Sequence, residues 1–102
     1  MVDSVTPVPG VNSQVTTGGQ AVIAVDGGVN GGFITNPASP TDQGLVTPEI
    51  LYVDPVGEAG LVANGTTFAL YPGQTWTLIP GQTTPTRVNA SSGGHKFSVV
   101  SW

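Results

Sequence analysis

Glycine and proline punctuate this sequence so densely that no uninterrupted window of helical length both lacks them and shows a 3.6-residue apolar period. With 15 Gly and 9 Pro in 102 residues, the chain is cut into short pieces. Short strands joined by tight turns are what such pieces can form. The remaining residues lean toward Val and Thr and away from Leu, Glu and Lys, which favours strands over helices. Val, Ile, Leu and Phe make up about a quarter of the chain, above the roughly 20% floor below which a chain reads as disordered. One domain with one modest core is expected at this length.

Charge is scarce. Only 8% of residues are charged, with two cations, Arg87 and Lys96, against six carboxylates, for a net charge of −4. Two cations cannot follow a phosphate backbone, so no nucleic-acid partner is expected. They also anchor poorly to anionic lipid. The longest apolar run, residues 21–25, is far too short to span a membrane, and no membrane partner is expected. Met1-Val2-Asp3 has neither a basic n-region nor an apolar h-region, so no signal peptide is expected. The absence of cysteine excludes a disulfide scaffold, thiolate metal sites and thiol catalysis. Charged residues are depleted at interface cores, so a surface this poor in charge points to an obligate oligomer or assembly subunit. The plainer alternative is a monomer coated with Thr, Ser and Asn.

Along the chain, residues 1–20 contain no aromatic residue, Leu or Ile. Val2, Val5, Val8, Val11 and Val15 stand among Pro7, Pro9, Gly10, Gly18 and Gly19. Such a stretch reads as an extended N-terminal arm, residues 1–19, leading into a β domain, residues 20–102. Strands are expected at residues 20–25, 33–35, 49–54 and 57–63, with Asn64-Gly65 as a hairpin signal. Residues 36–48 form a long connection expected to run over the surface or a neighbour. In residues 66–71, Phe68 and Leu70 alternate with Thr67 and Ala69. Pro72-Gly73 and Pro80-Gly81 turn the chain at either end of a strand at residues 74–79, in which Trp76 and Leu78 share a face. Residues 87–90 and 95–102 are expected to form a last hairpin. In its second strand Phe97 and Val99 share one face, Val100 and Trp102 the other. The fold class is therefore all-β, a small antiparallel β-sandwich or barrel with an extended N-terminal arm.

Chemistry-bearing patterns are weak. His95 is the only imidazole, near Ser91 and Ser92, and a Ser–His–Asp arrangement is formally available, but nothing resembles a nucleophile elbow. Asp26 to Asn30, among glycines, lacks the ligand order of a calcium loop. No phosphate loop follows the Gly-Gly pairs. No catalytic residue, metal or cofactor is assigned. Asn64-Gly65-Thr66 and Asn89-Ala90-Ser91 match a glycosylation sequon, which a Thr/Ser-rich chain produces by chance. Trp76, Trp102, Tyr52 and Tyr71 would serve either packing or sugar stacking.

The segments Gly32-Phe33-Ile34-Thr35-Asn36-Pro37, Thr41-Asp42-Gln43-Gly44 and Leu51-Tyr52-Val53-Asp54-Pro55 resemble small virion proteins of tailed bacteriophages. Leu70-Tyr71-Pro72-Gly73-Gln74-Thr75-Trp76 and the closing Gly94-His95-Lys96-Phe97 through Trp102 add to the likeness. The resemblance implies a capsid decoration, or cement, protein: mostly β, often a homotrimer, seated on the outer capsid surface, with an arm that adds a strand to the major capsid protein.

Together these readings give a non-enzymatic virion protein that stabilises a bacteriophage capsid. The arm would pair with its partner through Val11, Val15, Thr16 and Thr17, beyond the prolines that interrupt pairing. Val100, Trp102 and Trp76 would form the oligomer interface, and the body would fold without the arm. The rival reading is a glycan- or receptor-binding head fibre, spike or adhesin module.

Overall fold

The computed structural model describes residues 7–102. Its strands are β1 (Val8–Pro9), β2 (Gln14–Val15), β3 (Val22–Val25), β4 (Gly32–Thr35), β5 (Leu51–Asp54), β6 (Phe68–Leu70), β7 (Thr75–Thr77), β8 (Thr86–Asn89), β9 (His95–Lys96) and β10 (Ser98–Ser101). One four-residue helix, α1 (Pro40–Gln43), interrupts them. Two four-stranded sheets, ordered β1-β10-β4-β7 and β3-β8-β5-β6, lie face to face, and a two-stranded ladder β2-β9 joins them. Every pairing is antiparallel. The all-β class expected from the turn pattern is what the chain adopts, as a sandwich.

The core is the space between the sheets. Ile34 and Leu78 enter from the first sheet, Leu51, Val53, Leu70 and Val88 from the second, and Val99 and Trp76 pack at the margin. Strand alternation accounts for this. Leu51 and Val53 are buried, while Tyr52 between them lies on the opposite face of β5, aligned with Asn89 and Ala69. Phe68 and Leu70 both face inward, as their alternation with Ala69 predicts.

Both Pro-Gly pairs form the expected turns. Gln74 N–H donates to Tyr71 C=O at 2.9 Å and Gln82 N–H to Ile79 C=O at 3.3 Å. Gly73 and Gly81 take φ of 86° and 76°, values that only glycine adopts at little cost.

Several expectations give way. Residues 57–63 form no strand. The Asp54 carboxylate accepts from the backbone N–H groups of Val56 and Gly57, which turns the chain out of the sheet. The loop then folds over the outer face of the second sheet, where Asn89 Nδ2 donates to Ala59 C=O at 2.9 Å. The Asn64-Gly65 turn forms, with Thr67 N–H donating to Asn64 C=O, but it closes this loop and not a hairpin. The last hairpin also fails. Both edges of β8 are taken by β3 and β5, so β10 pairs with β4 and β1 instead.

The largest correction concerns the arm. Residues 1–6, including Val2 and Val5, lie outside the described residues. The remainder is stitched onto this chain's own sheets. β1 pairs with β10, and Gly10 N–H donates to Val99 C=O. Val11 N–H then donates to Ala24 C=O on β3, and Asn12 Nδ2 to Ile23 C=O. β2 next pairs with β9. Residues 8–15 thus cross from one sheet to the other and close one side of the sandwich. Backbone groups left bare at two sheet edges make this the nearest place for an extended segment to satisfy its own. A boundary at residue 19 therefore divides one core, because Val15 is wholly buried in it.

Candidate interaction surface

The outer face of the first sheet follows from its register. Directly opposed residues share a face, and Pro9, Val100, Phe33 and Thr77 align across β1, β10, β4 and β7. Trp102, two residues beyond Val100, lies on the same face. Its ring meets Phe33 edge-on, with centroids 5.4 Å apart and planes at 64°. Phe33 stays 43% exposed. Thr35, Thr75 and Ser98 continue this face. The result is an uncharged apolar stripe on the outside of a sheet, whereas the loop after Asp54 covers the opposite sheet's outer face in part, at Asn89.

Of the three residues assigned to an oligomer interface, Val100 and Trp102 occupy this face together. Trp76 does not. It opposes Ile34 and points inward, where it packs on Phe68 with ring centroids 4.9 Å apart. Strand alternation separates it from Val100, a relation that depends on which strands pair and is invisible along the chain. The arm residues divide as well. Val11, Thr16 and Thr17 are exposed, while Val15 is enclosed by the core. Trp102, Trp76, Tyr52 and Tyr71 converge on no common platform: they lie on the outer face, the inner margin, the other sheet and a turn.

A second cluster is polar and buried. Asn36, Gln43 and His95 are each sealed from solvent. Asn36 Nδ2 donates to Leu70 C=O at 2.8 Å and to Glu49 C=O at 2.9 Å. Its Oδ1 accepts from Gln43 Nε2 at 3.0 Å and meets His95 Nε2 at 2.8 Å. An acceptor already used by an amide assigns the proton to Nε2 of the imidazole. His95 Nδ1 is buried without a partner. Burial lowers the pKa of His95, and the Glu49 carboxylate opposes that shift only in part.

This constellation ties down the 36–50 connection. Gln43 Nε2 also donates to Pro37 C=O, and its Oε1 accepts from Glu49 N–H. Ser39 caps α1, its Oγ accepting from Asp42 N–H at 3.1 Å, and Gly44 ends it at φ 75°. The connection expected to run over the surface is thus pegged inside by one glutamine. Ser92 Oγ donates to the Glu49 carboxylate and not to His95, so serine, imidazole and acid form no relay. Sequence reading missed Asn36 and Gln43. The signal available was two uncharged amides within a proline-rich segment, which is too common to single them out.

Asp54 is the third polar centre. Its Oδ2 accepts from the hydroxyls of Thr66 and Thr67 at 2.8 and 2.9 Å, and its Oδ1 from two backbone N–H groups. Burial alone would raise its pKa. The four hydrogen bonds outweigh that and hold the carboxyl below its ordinary value. Its ligands are all donors from its own loop, which makes it a loop staple. Among the described residues no group of three or more His, Asp or Glu side chains is placed to share a metal ion.

Two open depressions complete the surface. One, of about 260 Å³, lies between Gln14, Asp42 and Lys96. The other, of about 210 Å³, lies beside Val8, Val11 and Val29. Comparison of the chain with protein-family models, with curated proteins and with solved structures gave no match.

Proposed function

We infer that this chain is a non-enzymatic structural protein that decorates a tailed-bacteriophage capsid from outside and self-associates there. The observation that carries the reading is the uncharged apolar stripe Phe33–Val100–Trp102 on the outside of one sheet, with Phe33 exposed and Val100 and Trp102 half-buried. An exposed apolar patch rimmed by polar residues marks an interaction site. A stripe flanked by threonines and free of charge suits a flat, extended lattice better than a small ligand, which binds in concave pockets. Many identical copies on one shell would add avidity to weak single contacts.

The pairing element of this reading shifts from the arm to the sheet face, since residues 8–15 are engaged with their own chain. Purified virus particles from the source of the chain provide the test, combined with co-sedimentation on shells stripped of accessory proteins. The protein should bind to a fixed stoichiometry, and Val100→Asp should lose that binding while retaining its melting transition. Absence from the particles, or undiminished binding by Val100→Asp, would refute the reading.

A further inference from the structure

Among the sheet edges of the sandwich, β7 differs from the rest. Asn36 N–H donates to Gln74 C=O and Leu78 N–H to Gly32 C=O. With Ile34 opposite Trp76, these bonds fix the phase of the ladder. Residues 74, 76 and 78 turn their backbone groups toward β4. Thr75 and Thr77 turn theirs outward, both residues are exposed, and nothing else in the described chain bonds to their backbone.

The other edges are guarded. On β1 the outward position is Pro9, which has no N–H to offer. β3 is covered by Val11 and Asn12. On β6, Leu70 C=O is already taken by the Asn36 side chain. Native edges are commonly blunted by Lys or Pro. Here not one Asp, Glu, Lys, Arg or His occurs from residue 59 to residue 86, and no proline falls within Thr75–Thr77.

We propose that β7 pairs antiparallel with β7 of a second copy, giving a two-fold dimer with one sheet running continuously through both protomers. The pairing is self-complementary. About a dyad at Trp76, Thr75 exchanges both backbone hydrogen bonds with the partner's Thr77, and Thr77 with the partner's Thr75. Trp76 then faces the partner's Trp76 across a narrow, non-bonded pair. Phe68, 48% exposed beside Trp76, is covered by the same approach. The edge strand and the residues around it in sequence, 59–86, bring no ionic side chain to repel their own copy. The inference deepens the self-association part of the function proposed above and does not require that the partner lattice be a capsid. It also predicts closure at two copies, because an isologous edge pair is used up once formed, in place of the trimer implied by the phage resemblance.

Light scattering on the full chain should give twice the protomer mass at high concentration and a fall toward the monomer on dilution. Hydrogen exchange should show the Thr75 and Thr77 amides protected in the concentrated sample and exchanging freely in the dilute one. Thr77→Pro removes an N–H that the monomer does not use, so it should give a folded monomer. If that variant fails to fold, the exchange pattern of the unaltered chain decides. A monomer at every concentration, a trimer, or an oligomer in which the two threonine amides exchange freely would overturn the proposal. Val100→Asp should leave the dimer intact, which separates this result from the shell-binding test.

Discussion

Val15 and His95 stand directly opposite each other in the β2–β9 ladder, and neither has any exposed surface. The pair locks the N-terminal segment to the C-terminal strand region through one aliphatic and one neutral imidazole side chain. It makes the leading segment part of the core that the rest of the chain needs.

Removing residues 1–19 should therefore abolish cooperative folding rather than yield a stable body. Val15→Ala should cost about 2 kcal/mol, the burial of its methyl groups plus a partly relaxed cavity. Gly10→Ala should also destabilise, since a Cβ there would collide with Ala24 C=O and the Val99 side chain. Thermal melts of the three variants would check this; a truncated chain melting like the full one would contradict it.

Acid should weaken the fold in two stages. His95 has its pKa lowered from 6.5 by burial, so below about pH 6.5 the unfolded chain takes up a proton that the folded one resists. Stability is full above that pH and declines as pH falls toward the folded value. Asp54, held below 3.8 by its hydrogen bonds, adds a second loss only below about pH 3.8. Denaturant midpoints measured between pH 7 and pH 3 should show both limbs, and His95→Gln should flatten the upper one.

Asn36→Ala would strand the carbonyl of Leu70 and the Nε2 donor of His95, while the Gln43 amide keeps Pro37 C=O and Glu49 C=O as acceptors. With roughly 1–3 kcal/mol for each of these two buried groups left unsatisfied, a loss of at least about 2 kcal/mol is expected by chemical denaturation. A loss under about 1 kcal/mol would mean that water replaces the amide.

The two tryptophans should behave differently. Trp76→Ala removes packing against Phe68 and the core margin and should cost about 3 kcal/mol, toward the lower end for aromatic truncations because the ring is only half-buried. Trp102→Ala should cost less and act mainly on shell binding. If instead Trp76→Ala lost a bound glycan without losing stability, the adhesin reading would gain.

Local chemistry alone determined a good deal. The density of Gly and Pro limited every element to a few residues, the Val/Thr bias made those elements strands, and both Pro-Gly turns follow from the φ values that these residues favour. The alternation that sets Phe68 with Leu70, Trp76 with Leu78, and Val100 with Trp102 is likewise a property of neighbours along the chain. Tertiary structure decided what each strand faces. Whether Trp76 joins Val100 on one surface depends on the pairing of β7, β4 and β10, which are far apart in sequence. The fate of residues 8–15 depended on which sheet edges lay open nearby. Asn36, Gln43 and His95 became a buried network only because packing removed the water that would otherwise have satisfied them. A short polar or proline-rich segment carries the same local preferences whether it docks on its own sheets or on another chain; the choice rests on backbone groups contributed by residues far away.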